Sequence, residues 1–164
     1  GKGGAVREGF ARAPGPLVGF MDADNSTSLS QMEDLIAAID AADGVIGSRW
    51  LPGSVITARQ GLTRRLESRV FNLMIRILFS LPYSDTQCGA KVFKKSVVDA
   101  VIGDMVSTGF EFDVELLWRL SRKGFQVKEL PITWGNQEAS RVRGSDILRM
   151  LTALFSLRLG GSGL

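Results

Sequence analysis

Histidine is absent from this 164-residue chain, and its absence removes several classes of site. Ser-His-Asp and Cys-His catalysis both need an imidazole, as do zinc sites built on histidine. The single cysteine, Cys88, excludes an internal disulfide and fits a reducing compartment. Carboxylates must therefore do any work of metal binding.

Long hydrophobic runs are also missing. The apolar stretch at residues 71–81 is interrupted by Arg76, and residues 150–157 fall well short of the roughly 18 apolar residues that span a bilayer. Hydrophobic residues nevertheless make up 45% of the chain, which predicts a folded domain rather than disorder. Contact with a membrane would then take place at its surface.

The charge of the chain, +3 overall, is unevenly distributed. Residues 1–60 hold 5 Lys and Arg against 7 Asp and Glu, whereas residues 61–164 hold 15 against 10. Such a basic second half suits anionic lipid, a phosphorylated substrate or nucleic acid, and is equally compatible with an ordinary solvated surface. Because its basic residues are dispersed and no nucleic-acid motif is present, we expect no nucleic-acid partner.

Two carboxylates follow the first predicted strand. The apolar run Leu17–Met21 ends directly at Asp22, with Asp24 one residue beyond. Carboxyl ends of strands line the ligand crevice of open α/β sheets, so these groups are placed to hold a hard cation against phosphate. The alternative is a solvated turn leading to a helix capped at Ser28 or Ser30. A second short strand at 44–48 delivers Arg49 to the same edge if the two strands are parallel.

Helical patterns account for much of the remaining chain. A glycine-rich start, Gly1–Gly4, precedes a helix to Ala13 and can offer backbone N–H groups and Lys2 to phosphate, although no P-loop pattern is present. Other helices are predicted from a capping box at residues 30–33 to about residue 42, and over 62–81, 95–102, 110–124 and 145–159. Residues 51–61 read as a mobile loop, 90–93 as a short strand after Gly89, and 125–134 as an edge strand containing Pro131.

The predicted helix over residues 62–81 admits two interpretations. Its cations Arg65, Arg69 and Arg76 recur at spacings of four and seven, which puts them on one stripe. A helix of this kind can rest on a membrane surface with its cations near lipid phosphates. It can equally be a core helix with one solvated side.

Six short motifs, in order and covering nearly the whole chain, resemble the family 2 glycosyltransferases of the polyprenyl- and dolichyl-phosphate hexosyltransferase group. They are G-K-G-G-A-V-R at 1–7, M-D-A-D at 21–24, G-S-R at 47–49, D-T-Q-C-G-A-K-V-F at 85–93, F-D-V-E-L-L at 112–117, and Trp134 followed by Ser140 and Arg141. The resemblance implies an α/β GT-A nucleotide-diphospho-sugar transferase fold, a Rossmann-like mixed sheet flanked by helices. The catalytic domain would cover residues 1–159, with a flexible tail at 160–164, and would lack the N-terminal segment that holds the nucleobase.

The resemblance also implies roles for individual residues. Asp22 and Asp24 would bind Mg²⁺ or Mn²⁺ on the diphosphate of the donor. The groups near the donor would be Gly1, Lys2, Gly3, Asp22, Asp24 and Arg141. The groups around the reacting atoms would be Arg49, Asp85, Gln87, Lys91 and Asp113, of which Asp113 is the catalytic carboxylate or orients acceptor or sugar.

The implied activity is metal-dependent, inverting transfer of glucose or mannose from UDP-glucose or GDP-mannose to a polyprenyl or dolichyl phosphate. The enzyme would be cytoplasmic and peripheral on the cytoplasmic face of a membrane, with homo-oligomerisation left open. An alternative from another class is a non-catalytic module that binds a membrane surface or a lipid phosphate.

Overall fold

The computed structural model describes residues 1–57, 62–135 and 144–160, which form alternating helices and strands around a mixed sheet. The elements are α1 (Lys2–Arg12), β1 (Leu17–Met21), α2 (Leu29–Ala37), β2 (Gly44–Ser48), β3 (Val55–Ile56), α3 (Leu62–Phe79), β4 (Ala90–Lys94), α4 (Lys95–Ile102), α5 (Phe112–Arg122), β5 (Val127–Pro131), β6 (Thr133–Trp134) and α6 (Gly144–Arg158). A single 3-10 turn, Ile39–Ala41, follows α2.

The main sheet brings the ends of four strands together. Its order is β1-β4-β2-β5, with β4 antiparallel to both β1 and β2, and β5 parallel to β2. Since β1 and β2 are each antiparallel to β4, they are parallel to one another, as the placement of Arg49 required. The carboxyl ends of β1, β2 and β5 therefore share an edge with the amino end of β4. Strands β3 and β6 form a separate parallel pair.

Alternation along the strands divides the core into two layers. In β4, Val92 joins the layer under α2 with Leu35, whereas the next residue, Phe93, joins the larger layer on the other face. That larger layer contains side chains from α1, α3, α4, α5 and α6. The sheet is thus covered on both faces, and its shared edge is left to carry polar groups.

Helix α2 begins two residues earlier than its predicted capping box. The hydroxyl of Ser28 accepts from the Gln31 N–H at 3.3 Å, and the Gln31 side chain accepts from the Ser28 N–H at 3.1 Å. The box at 30–33 was therefore wrong, and the alternative cap at Ser28 is the one formed. The predicted end near residue 42 was also too late, because the chain tightens into the 3-10 turn after Ala37.

The remaining predicted elements are found with small shifts. The predicted strand at 125–134 is split into β5 and β6, and β5 lies at an edge of the sheet, as Pro131 indicated. The predicted loop 51–61 contains the short β3, and its residues 58–61 lie outside the described part of the chain. So do residues 161–164 of the predicted tail.

Helix α3 ends at Phe79, two residues before its predicted end, and most of the exposed side chains described for it are apolar. The side chains of Leu66, Val70, Leu73 and Ile77 are each more than half exposed. Arg69 is exposed as well, but Arg76 is partly covered. None of the helices in residues 1–57, 62–135 and 144–160 has the length and apolar content needed to cross a membrane.

Candidate active site

The first carboxylate of the acidic pair lies against the backbone that leads into β4. Met21 pairs with Ala90, and the next amide, that of Asp22, donates to the Gly89 carbonyl at 2.8 Å. A Cβ at position 89 would lie 1.9 Å from Asp22 Oδ2. Only glycine therefore allows the Asp22 carboxylate to occupy this position. A cleft of about 410 Å³ opens beside it, lined by Met21, Asp22, Ala23, Asn25, Thr27, Ser28 and Leu29.

The second carboxylate projects from the turn after β1. Asp24 is exposed, and its Oδ1 accepts from the Ser26 N–H at 3.0 Å. Asn25, between them, has a positive φ of 56°, a conformation that asparagine tolerates better than most residues. The turn thus fixes the backbone of Asp24 and leaves its carboxylate at the surface near Asp22.

Four charged side chains form a chain of alternating sign through the site. Lys91 Nζ lies 2.7 Å from Asp113 Oδ1, and Lys2 Nζ lies 3.1 Å from Asp113 Oδ2 and 2.9 Å from Asp22 Oδ1. Lys91 also donates to the Cys88 carbonyl. The side chain of Lys91 is 0% exposed and that of Asp113 is 3% exposed, whereas that of Asp22 is 40% exposed. This row of four charged side chains therefore extends from the core to the cleft.

These contacts fix the ionisation of Asp113. Burial alone would raise the pKa of its carboxyl, but Lys91 and Lys2 outweigh burial and hold this pKa below the ordinary value of 3.8. Burial would likewise lower the pKa of Lys2, and the attraction of Asp113 and Asp22 raises it instead. Near neutral pH Asp113 is an ionised group shared by two ammonium ions.

A second ion pair joins β2 to the loop before β4. Arg49 Nε and Nη2 donate to the two oxygens of Asp85 at 2.7 and 2.9 Å, and the Arg49 backbone N–H adds a bond of 3.0 Å. The pKa of Asp85 is lowered because Arg49 outweighs the opposing effect of burial. The guanidinium also lies 5.7 and 5.5 Å from the rings of Trp50 and Trp134. This geometry holds Arg49 at the shared edge.

The predicted site residues therefore form two adjoining groups. One contains Lys2, Asp22, Lys91 and Asp113, and the other contains Arg49, Asp85 and Gln87. The Gln87 amide donates to Asp85 Oδ1 at 3.2 Å, and its side chain contacts the sulfur of Met150. Arg141 lies outside the described residues.

The glycines at the start of α1 serve close packing. The Gly3 amide donates to the Gly109 carbonyl at 3.2 Å, and a Cβ on Gly3 would lie 2.6 Å from the Cβ of Phe112. Gly1 likewise lies against the Thr108 carbonyl. The absence of side chains lets α1 approach the loop before α5, which brings Lys2 within reach of Asp113.

Three further polar residues, Asn72, Glu129 and Glu115, fix the backbone around this site, and none of them was predicted from the sequence. The buried Asn72 side chain bonds the Ser84 carbonyl and, at 3.1 and 2.9 Å, the N–H and hydroxyl of Thr86. Glu129 accepts from the amides of Ser84 and Asp85 at 2.8 and 2.9 Å.

Glu115 fixes the backbone of the loop before α5 in the same way. It is fully buried, accepts from the amides of Val106 and Ser107, and pairs with Arg119. Its only signal in the sequence is a carboxylate inside an otherwise apolar helical stretch.

Comparison with known proteins decides the family. The model of "Glycosyl transferase family 2" matches residues 1–102. The chain belongs to glycosyl transferase family 2. The resemblance inferred from the six motifs is thereby confirmed.

Curated relatives of this family 2 chain include two enzymes named for a dolichyl phosphate or a polyprenol monophosphate product. It is 30% identical over 173 residues to dolichyl-phosphate beta-glucosyltransferase of Saccharomyces cerevisiae, covering 97% of this chain and 52% of that protein. It is 36% identical over 132 residues to polyprenol monophosphomannose synthase of Mycolicibacterium smegmatis, covering 77% and 49%. Glycosyltransferase AglD of Haloferax volcanii is 33% identical over 159 residues, covering 91% and 25%. The chain thus spans about half of the first two relatives and a quarter of the third.

Solved structures support the expected GT-A fold. Glucosyl-3-phosphoglycerate synthase from Mycobacterium tuberculosis, in complex with Mn²⁺, UDP-glucose and glycerol 3-phosphate, superposes with a TM-score of 0.65 at 15% identity. The match covers 98% of this family 2 chain and 56% of that structure. At this identity the likeness concerns the fold alone.

Removing the charge of Asp113 should destabilise the fold strongly. In Asp113→Asn the fully buried Lys91 loses its counter-ion, and breaking a buried pair in this way costs about 3–5 kcal/mol. Urea unfolding measures the change. The control Asp99→Asn breaks only the surface pair with Lys95 and should cost less than about 0.5 kcal/mol. Equal losses in the two variants would contradict the buried-pair account.

The same pairs predict how stability depends on pH. Asp85 and Asp113 have folded-state pKa values below the ordinary 3.8, so each binds a proton more readily when unfolded. Their contribution is complete above about pH 5 and is lost as the pH falls below about 4. Urea midpoints measured from pH 7 to pH 3 should stay level and then fall. A decline that begins near pH 6 would point to other groups.

Proposed function

We propose that this chain is the larger part of the catalytic domain of an inverting hexosyltransferase that acts on lipid monophosphates. The donor is a nucleoside-diphosphate sugar, UDP-glucose or GDP-mannose, and the acceptor is a polyprenyl or dolichyl phosphate. The observation that carries the proposal is the charge arrangement at the shared sheet edge, where Lys2 lies 2.9 Å from Asp22 and the exposed Asp24 follows two residues later. The names of the curated relatives support the lipid class of the acceptor and the choice of glucose or mannose.

The acidic pair fits a divalent cation of the Mg²⁺ or Mn²⁺ type. Among residues 1–57, 62–135 and 144–160, no group of three or more His, Cys, Asp or Glu gathers as a metal cage. Magnesium and similar ions are usually held by one or two carboxylates together with substrate phosphates and water, which is what Asp22 and Asp24 can offer. Such an ion would act as a Lewis acid that neutralises charge on the departing diphosphate.

Cationic side chains of the protein contribute to the same task. Transfer breaks the bond between the anomeric carbon and the diphosphate oxygen, so negative charge grows on the leaving group. Lys2 lies beside Asp22 at the cleft and is held there by Asp113. Arg49, held by Asp85 at the end of β2, supplies a second fixed cation. Preorganised charges of this kind stabilise a transition state without having to move.

A lipid phosphate acceptor needs no general base to remove a proton. A phosphate monoester has a second pKa of about 6 and is largely ionised near neutrality, so its oxygen can attack the anomeric carbon directly. Asp113 is already ionised and bonded to two lysines, and we assign it the positioning of those lysines rather than proton removal. Attack on the face opposite the diphosphate inverts the anomeric centre.

A lipid acceptor calls for contact with a bilayer, and α3 offers the surface. We name the exposed side chains Leu66, Val70, Leu73 and Ile77 the α3 stripe; each is 53–72% exposed. The neighbouring α6 adds the exposed Phe155, and Leu159 directly after this helix is exposed as well. The two helices are joined where Arg158 donates to the Leu78 carbonyl at 2.9 Å. Arginines outnumber acids four to one in α3, which favours anionic lipid. The cytoplasmic face of the membrane is part of this proposal.

Loss of one carboxylate of the acidic pair should abolish metal-dependent transfer. We expect Asp24→Asn to lower transfer from labelled UDP-glucose or GDP-mannose to dolichyl phosphate by about 100-fold or more in the full-length protein, because charge stabilisation on the leaving group is lost. The control Asp40→Asn changes an exposed acid in the 3-10 turn and should be neutral. Undiminished transfer in Asp24→Asn would remove the mechanism.

The α3 stripe should govern membrane binding separately from catalysis. Replacing Leu73 and Ile77 together by serine removes apolar surface that the bilayer would bury, and should weaken binding to phosphatidylcholine–phosphatidylserine vesicles by at least about tenfold. Val106→Ser, at an exposed apolar residue elsewhere, is the control. Sedimentation that is unchanged in the double variant would contradict the docking surface. Vesicle binding without any response to UDP and Mn²⁺ would favour the non-catalytic module.

A further inference from the structure

Lys2 has two carboxylate partners of different character. Asp113 is buried and already holds Lys91 at 2.7 Å, so Lys2 is its second counter-ion, at 3.1 Å. Asp22 is partly exposed and faces the cleft, and Lys2 approaches it more closely, at 2.9 Å. The ring of Phe20 lies 5.3 Å from the same ammonium. Asp113 and Phe20 thus hold the lysine in position beside Asp22.

This position puts a fixed positive charge next to the proposed cation site. One oxygen of Asp22 is engaged with the ammonium, and one oxygen of Asp24 is engaged with the Ser26 amide. A divalent cation at the acidic pair would be repelled by Lys2 across a few ångströms, at a partly exposed site where screening is incomplete. The protein alone therefore offers the cation a weakened pair of ligands.

When a diphosphate is bound, Lys2 favours binding of the divalent cation instead of opposing it. Its anionic oxygens can pair with Lys2 and can complete the coordination shell of the cation, so that two cations which repel each other acquire a shared counter-ion. Resting on the function proposed above, we propose that Lys2 competes with the divalent cation for Asp22 and thereby makes cation binding depend on the diphosphate of the donor. Lys2 is in this sense a positioning residue that couples the two ligands.

Binding of Mn²⁺ to Lys2→Met and to wild type tests this coupling without any transfer assay. Titrations are followed by the electron paramagnetic resonance signal of free Mn²⁺, first with Mn²⁺ alone and then with inorganic pyrophosphate or UDP present. Without diphosphate, Lys2→Met should bind Mn²⁺ about tenfold more tightly, because the repulsion is gone. With diphosphate it should bind about tenfold more weakly than wild type, because one charge-assisted contact is lost.

Three variants keep the result interpretable. Lys2→Arg retains the charge and should follow wild type in both titrations. Lys2→Gln can still donate to Asp113, so it tests the loss of charge if Lys2→Met folds poorly. Arg12→Met removes a positive charge from the exposed end of the same helix, where Arg12 pairs with Glu8, and should leave both affinities unchanged.

The possible outcomes separate the coupling from the proposed function. Opposite changes in the two titrations support the competition. If Lys2→Met matches wild type, or binds Mn²⁺ alone more weakly, the competition is refuted while the metal site stands. If no variant binds Mn²⁺ even with UDP, the metal site fails and the coupling fails with it.

Discussion

The site depends above all on the two salt bridges that Asp113, a buried carboxylate, makes with Lys2 and Lys91. Lys2 belongs to α1, Lys91 to β4 and Asp113 to α5, so three elements distant in sequence meet at one carboxylate. Desolvating these charges is unfavourable, and the arrangement persists only because each buried charge has a counter-charge at hydrogen-bonding distance. The same contacts carry Lys2 to the cleft beside Asp22. Structural stability and the electrostatics of the cleft therefore depend on one group.

Local sequence patterns predicted the shared sheet edge. The run Leu17–Met21 and the run at 44–48 are short and apolar, and each ends in a charged residue, so Asp22 and Arg49 could be placed at one edge before any coordinates. The two strands and their charged ends were readable because they depend on neighbours in the chain. The reason for Gly89 was not, since a Cβ there would collide with Asp22, which is distant in sequence. The motif series then named the family, which the family match confirmed.

Long-range polar pairing was beyond sequence reasoning. No periodicity says that Asp113 meets Lys91, or that the side chain of Asn72 bonds a loop twelve to fourteen residues away. The solvent-facing side of α3 could not be predicted from the sequence either. The spacing of Arg65, Arg69 and Arg76 defined a basic stripe, but periodicity does not reveal which face the rest of the protein covers. In the structure Leu73 and Ile77 are exposed beside Arg69, whereas Arg76 is partly covered.

The proposed function requires Asp22 and Asp24 to bind a divalent ion together on the diphosphate of the donor. An anomalous difference map from crystals of the full-length protein grown with Mn²⁺ and UDP tests it most directly. We expect a manganese peak within about 2.0–2.3 Å of an oxygen of each carboxylate and of the diphosphate. A map with UDP bound and no peak at these carboxylates, or with the peak at other ligands, would contradict it.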